Sequence, residues 1–302
     1  MMMLQRRYNN KIVPDITSES IKDSITQNLA LCTHAEISSL VNAVNYKHHH
    51  NDSQKINRDN ILFESVDIIR YIMAIMNVWD INPEEFEDAF SKKDKYLWMQ
   101  YRMDSKQWNG EPVVIVDIDD VMAEFRVCFA DWLEKEYSVK MDVDSEEYYF
   151  ITALTECNLN PEEVFENFMS DGGFGMLPLV EGGREFLLDL RNQGYWIQFL
   201  TARPKDDLRC LLDTHAWIDA HNLPYDRIDF SPEKFRWCAK SEYYDSNSIK
   251  FAIDDSPKHA EEYAKHGIRV KVPIKSYNTH IEDDNIQFYK DFDDLKNKLS
   301  EE

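Results

Sequence analysis

The run Val113-Val114-Ile115-Val116-Asp117-Ile118-Asp119-Asp120-Val121 decides how this chain is read. Four consecutive β-branched residues are expected to form a strand buried on both faces, the mark of a parallel sheet covered by helices. The strand then runs directly into three acids. Two further apolar runs also end in short polar motifs. Residues 196–200 lead into Thr201-Ala202-Arg203-Pro204, and residues 249–253 lead into Asp254-Asp255-Ser256-Pro257. A weaker strand is expected at 269–272, and helical stretches at 183–193 and 205–221. Strands alternating with helices imply a parallel sheet with right-handed crossovers. Ligands of such sheets bind at the carboxyl ends of the strands. The three polar motifs are therefore expected to converge on one site.

The residue types at that site restrict its chemistry. Clustered carboxylates repel one another unless a cation neutralises them. With no His or Cys among them they form a hard oxygen donor set, for which Mg²⁺ is the natural partner. A carboxylate can attack phosphorus while a second carboxylic acid protonates the leaving oxygen. A hydroxyl such as that of Thr201, together with a lysine, can hold the phosphoryl oxygens.

These residues resemble the motifs of the haloacid dehalogenase (HAD) superfamily of phosphatases. The segment 113–121 is similar to its first motif, Phe199-Leu200-Thr201 to its second, and the segment 251–257 to its fourth. The third motif is a lysine upstream of the fourth, for which Lys234 and Lys240 both qualify. The resemblance covers residues 111–298 and implies a Rossmann-like α/β fold. It also implies roles. Asp117 would be the nucleophile and form an aspartyl-phosphate, Asp119 the general acid/base, and Thr201 and Lys234 the ligands of the phosphoryl group. Asp117, the backbone carbonyl of Asp119, and Asp254 or Asp255 would bind Mg²⁺. Asp120 stands where the family more often has Gly.

Between the first and second motifs, residues 126–175 exceed a simple crossover and contain helical stretches at 127–137 and 161–169. In this superfamily an insertion here is a small helical cap that favours small substrates. The cluster Tyr148-Tyr149-Phe150, and Phe174 between Gly173 and Gly175, are candidate base-stacking residues, and Arg203 is a further candidate for substrate binding. The same aromatics could instead form the cap's own core. The arrangement is most similar to 5′-deoxyribonucleotidases, and the lysine-to-Asp-Asp spacing is also similar to that of polynucleotide-kinase 3′-phosphatase domains.

Upstream of 108 the chain reads as an all-α bundle, with Ser18 capping a first helix. Leu62, Val66, Ile69, Met73 and Met76 mark one face of a second helix, and Pro83 sits in the first turn of a third. His48-His49-His50 reads as an exposed loop. Glu64 and Asp67 lie one helical turn apart, and Glu36 precedes them on the first helix. Such acids on facing helices can hold Mg²⁺. The pattern resembles the all-α NTP pyrophosphohydrolases of the MazG and dimeric dUTPase type. It departs from them at Ser39, which stands where the first helix would carry a second Glu. The polar segment 104–112 reads as a linker, which places the domains at 1–108 and 109–302.

Composition excludes several classes. The chain has 302 residues, 43% of them hydrophobic, which is enough for buried cores and incompatible with a wholly disordered protein. Thirty-four basic residues against 56 acidic ones give a charge of −22, whose field disfavours nucleic acid as partner. No apolar run is long enough to span a membrane. The start lacks a secretory h-region, and the five cysteines contain no C-x-x-C, so a reduced, cytoplasmic protein is expected. The combined reading is a Mg²⁺-dependent phosphatase of (deoxy)nucleoside monophosphates. Its helical domain would bind or cleave nucleotides and form a homodimer. The alternatives are a 3′-phosphatase that processes nucleic-acid ends and a non-catalytic nucleotide-binding module.

Overall fold

The computed structural model describes residues 18–44, 56–147 and 150–301. The chain divides into two compact units, Met1–Ser91 and Lys92–Glu302. In the first, helix α1 (Glu19–Asn42) packs along helix α2 (Arg58–Val78) as an antiparallel hairpin. Ser18 caps α1, its side chain accepting from the Ile21 N–H, and Asn57 caps α2. Where α1 begins and α2 finishes, the Trp79 indole donates to Thr26 Oγ1 at 2.8 Å and Lys22 pairs with Asp80. His48, His49 and His50 lie outside the described residues. Helix α3 (Pro83–Ser105) begins in the first unit and ends in the second.

The second unit is the expected α/β domain. Its strands are β1 (Val113–Val116), β2 (Trp196–Thr201), β3 (Arg227–Phe230), β4 (Ile249–Ile253), β5 (Arg269–Pro273) and β6 (Ile286–Tyr289). They form one six-stranded parallel sheet in the order β3-β2-β1-β4-β5-β6. The four strands read from the sequence are all present. The outer two, β3 and β6, were not expected. Their sequences, Arg-Ile-Asp-Phe and Ile-Gln-Phe-Tyr, interleave polar residues, as edge strands do, and so lack the continuous apolar run of a central strand.

Burial on both faces explains the four apolar residues of β1. Val114 and Val116 join one core with Ile197, Phe199, Phe251 and Ile253. Val113 and Ile115 join a second core on the opposite face with Leu200, Ala252, Val270 and Val272. Helices α7 (Gly183–Asn192), α8 (Leu208–Ala220) and α11 (Phe292–Ser300) supply Phe186, Trp217 and Leu295 to the first core. Helices α9 (Lys234–Ala239) and α10 (Pro257–Lys265) supply Cys238 and Tyr263 to the second. The end of α3 also belongs to the first core through Met99 and Met103, both buried.

The long connection between β1 and α7 contains the helical cap. It comprises α4 (Phe125–Tyr137), α5 (Ile151–Glu156), α6 (Pro161–Ser170) and a short 3₁₀ turn, Gly173–Gly175. Phe125, Phe129, Phe165, Phe168 and Phe174 pack ring against ring inside it. Glycine is required at Gly173, because a Cβ there would collide with the Phe168 ring. Among the described residues, no helix is long and apolar enough to cross a membrane.

Met99 is 1% exposed. Truncating such a side chain removes apolar burial and leaves a cavity, so Met99→Ala is expected to destabilise the α/β unit by about 2–5 kcal/mol. A shift of that size in the denaturant midpoint of the full chain, followed by tryptophan fluorescence, checks it.

Candidate active site

The sheet register assembles the site. Val116, the last residue of β1, pairs with Ile253 on β4 and with Phe199 on β2. Asp117 and Asp254 therefore leave adjacent strands side by side, and the Asp117 N–H still donates to the Ile253 carbonyl at 2.9 Å. Beyond Asp117 the chain turns sharply, with the N–H groups of Met122 and Ala123 both donating to the Ile118 carbonyl at 2.8 Å. Asp120 sits in this turn at φ +53°. That left-handed conformation favours Gly and tolerates Asp, which accounts for the Gly common at this position in the family. The Asp120 carboxylate accepts from the Arg126 N–H at 3.0 Å and so ties the turn to the start of α4.

Lys234 opens α9 and is fully buried. Its Nζ lies 2.7 Å from Asp117 Oδ1 and 2.7 Å from Asp254 Oδ2. Lys240, the other candidate, is exposed at the far end of the same helix. Burial pulls the Lys234 ammonium down, but Asp117 and Asp254 outweigh it and hold the group above the ordinary lysine range. Burial pushes Asp117 up to about 6 against the pull of Lys234, with Asp254 adding to the rise. Asp255 is pushed well above the ordinary carboxylate range, first by burial and then by Asp117, Asp120 and Asp254.

Asp117, Asp254 and Asp255 each offer one oxygen, and these oxygens lie within 4.8 Å of one another. Asp255 Oδ1 is buried with no hydrogen-bond partner among the described residues. Three hard oxygen donors, one of them buried without a partner, and a surplus of negative charge fit a Mg²⁺ ion. The acids of the first unit are arranged differently. The Glu64 carboxyl is raised by desolvation first, then by the neighbouring Glu36 and Asp67. Asp67 pairs with Arg70 at 3.2 Å. Ser39 lies one turn after Glu36 on α1. Among the described residues, only Asp117, Asp254 and Asp255 converge closely enough for one ion.

Above the buried charges lies a cavity of about 380 Å³. Asp117, Asp119 and Lys234 line it together with Phe125, Phe150 and Phe165. Phe174 also lines it while stacking on Phe125, so this residue serves both the cap core and the cavity wall. Tyr148 and Tyr149 lie outside the described residues. Thr201 is fully buried at the end of β2, and its Oγ1 accepts from the Arg203 N–H at 3.3 Å. The Arg203 guanidinium grips both oxygens of Asp119, at 2.9 and 2.6 Å, and donates to Thr214 Oγ1 at 2.9 Å. It lies 4.2 Å from the Phe174 ring centroid. Arg203 thus lines the cavity while its donors orient Asp119.

Sequence reasoning missed His259, which lines the cavity from α10 and is pushed down to about 4, mainly by burial and also by Lys234. It also missed Phe125, Phe129 and Phe165. An apolar face read along α4 and α6 would have suggested them as cap core, with nothing to mark them as cavity wall.

Carboxylates at the tips of a parallel sheet, a buried lysine and a helical cap define a HAD-type phosphatase. Residues 111–298 match the family described as 5′-nucleotidase, deoxy (pyrimidine), cytosolic type C, and the chain belongs to that family. Residues 1–171 match the family described as dUTPase, and the chain belongs to it through its N-terminal region. The two matches overlap over 111–171, where β1 and most of the cap already belong to the α/β unit. No curated protein matches the chain. Among solved structures, a protein from Haemophilus somnus described as a predicted phosphoglycolate phosphatase is 14% identical with a TM-score of 0.44, covering 64% of this chain and 99% of its own. A Clostridium acetobutylicum protein described as a predicted phosphatase is 14% identical with a TM-score of 0.45, covering 65% and 100%. Similarity at this level carries no information about substrate.

Removing Lys234 would leave two buried carboxylates facing each other. Breaking a buried pair of this kind costs about 3–5 kcal/mol. Lys234→Met is expected to lower stability by that order in chelator, and Lys240→Met by less than about 0.5 kcal/mol. Parallel urea titrations of the two variants with EDTA check this.

Proposed function

We propose that the α/β unit hydrolyses (deoxy)nucleoside monophosphates to nucleoside and phosphate. The observation that carries this reading is the junction of Asp117, Lys234 and Asp254 beneath a cavity with aromatic walls. A phosphoryl group would sit over the charged part, and the planar base would meet the rings. An oxygen of Asp117 attacks phosphorus, and the bond from phosphorus to the sugar oxygen breaks. Asp119 gives that oxygen its proton. Water then attacks the aspartyl-phosphate as Asp119 takes a proton from it, which releases phosphate and regenerates Asp117. Lys234 and Thr201 hold the phosphoryl oxygens, and Arg203 keeps Asp119 in place. Asp117, Asp254 and Asp255, with the Asp119 carbonyl, would hold Mg²⁺, which when bound neutralises charge on the carboxylates and the phosphoryl group.

The helical domain, taken as residues 1–108, is proposed to bind the corresponding triphosphate. Support comes from the dUTPase family match and from the proximity of Glu36, Glu64 and Asp67. Ser39 replaces one acid with a neutral hydroxyl, which would slow pyrophosphate release without abolishing binding. Triphosphate to monophosphate to nucleoside would remove a nucleotide from the pool. This domain is also proposed to form a homodimer, because Leu31, Leu62 and Phe63 leave apolar surface on α1 and α2 exposed. The acidic charge and reduced cysteines support a cytoplasmic location.

Asp117→Asn keeps the shape of the side chain but is a far poorer nucleophile. It is expected to reduce Mg²⁺-dependent phosphate release by more than about a thousandfold, with an unchanged circular dichroism spectrum. Substrate class is decided by competition. Nucleoside monophosphates are expected to show a higher kcat/KM than a 3′-phosphorylated oligonucleotide, and the opposite order would favour end processing. Slow pyrophosphate release from triphosphates, accelerated by Ser39→Glu, is the expected signature of the helical domain.

A further inference from the structure

Tyr277 lies between β5 and β6, far from every motif that marks the site in the sequence. It is 2% exposed, and its hydroxyl donates to Asp255 Oδ2 at 2.6 Å. The same hydroxyl is 3.5 Å from Asp120 Oδ2. Its neighbour Asn278 holds the backbone of the same aspartate, with Nδ2 donating to the Asp255 carbonyl and to the Pro273 carbonyl at 2.9 Å each. One short segment therefore fixes both the main chain and the side chain of Asp255. With Oδ2 held by the phenol, Oδ1 is the oxygen left buried without a hydrogen-bond partner among the described residues.

The segment is itself bonded to the cap. Ser276 Oγ donates to the Ser145 carbonyl at 2.8 Å. The Arg126 guanidinium, 4.9 Å from the Tyr277 ring centroid, donates to the carbonyls of Val143, Ser145 and Glu147. Tyr277 is thus held from the cap side while it holds Asp255 on the sheet side.

We propose that Tyr277 is a positioning residue for the cation site: by occupying one oxygen of Asp255 it fixes the rotamer that presents the other to the point shared with Asp117 and Asp254. This rests on the reading of those three acids as Mg²⁺ ligands. A carboxylate free to rotate would spread its oxygens over several orientations, and binding would have to stop that rotation. Hydrogen bonds of this kind behind a metal ligand typically contribute about 10–100-fold in affinity.

The test uses the full chain without substrate. Mn²⁺ binding is followed by electron paramagnetic resonance of the free ion, with Mg²⁺ as competitor and thermal unfolding in EDTA recorded beside it. Tyr277→Phe, which removes only the hydroxyl, is expected to weaken cation affinity about 10–100-fold, and kcat is expected to recover at saturating Mg²⁺. Asp255→Asn is the control. If it binds Mn²⁺ as the wild type does, the cation reading of the three acids fails, whatever Tyr277 does. If Asp255→Asn loses binding while Tyr277→Phe keeps wild-type affinity, Tyr277 is packing alone and the proposal is overturned. Should Tyr277→Phe not fold, Tyr277→Gln is compared with Tyr277→Leu, two side chains of similar size of which only the first carries a donor. Tighter binding by the Gln variant supports the proposal, and equal binding overturns it.

Discussion

Asp117, Asp254 and Asp255 are buried together with one buried ammonium, that of Lys234. If all are ionised, three negative charges face one positive charge in a region that excludes water. Burial is the largest influence raising each of the three acids. Such a cluster is tolerable only if its geometry is fixed and further positive charge can enter. Much of the surrounding structure follows from that constraint. The parallel register places Asp117 beside Asp254, the short helix beginning at Lys234 delivers the ammonium, and Tyr277 and Asn278 hold Asp255 from behind.

The cap meets a complementary requirement. Its aromatic residues pack against one another and, together with Asp117, Asp119, Arg203 and Lys234, line one cavity. On the proposed reading, a phosphoryl group meets the charged residues and a base meets the rings. Arg203 connects the two halves of this arrangement. It lies under Phe174 of the cap wall, is bonded to Thr214 of α8 and grips Asp119 with two donors. A guanidinium held on three sides has little freedom, so the half-buried Asp119 takes its side-chain position from Arg203 as well as from its own turn.

The acids of the helical hairpin obey different physics. Glu36, Glu64 and Asp67 are only partly covered, and Asp67 has an arginine one turn away. Solvent screens them, so their proximity costs little and demands no cation. The deep site requires compensation by its burial, whereas the shallow one can remain in water until a ligand arrives.

The central strands and their acidic ends were legible in the sequence because both signals are local. A β-branched run buried on two faces cannot hide its pattern, and Asp117, Thr201 and Asp254 are adjacent in sequence to such runs. The edge strands β3 and β6 carried no such signal, because alternation with polar residues over four positions is also what a loop shows. Sequence spacing alone left Lys234 and Lys240 as rivals. The choice fell to tertiary structure, which directs the first residue of α9 onto Asp117 and leaves the other lysine exposed. The same holds for Arg203 on Asp119, His259 on the cavity wall and Tyr277 on Asp255. Each of these contacts joins residues whose own neighbours say nothing of the partner. Periodicity reports the environment of a segment, whereas only the register of the sheet and the packing of helices upon it determine which distant side chains meet.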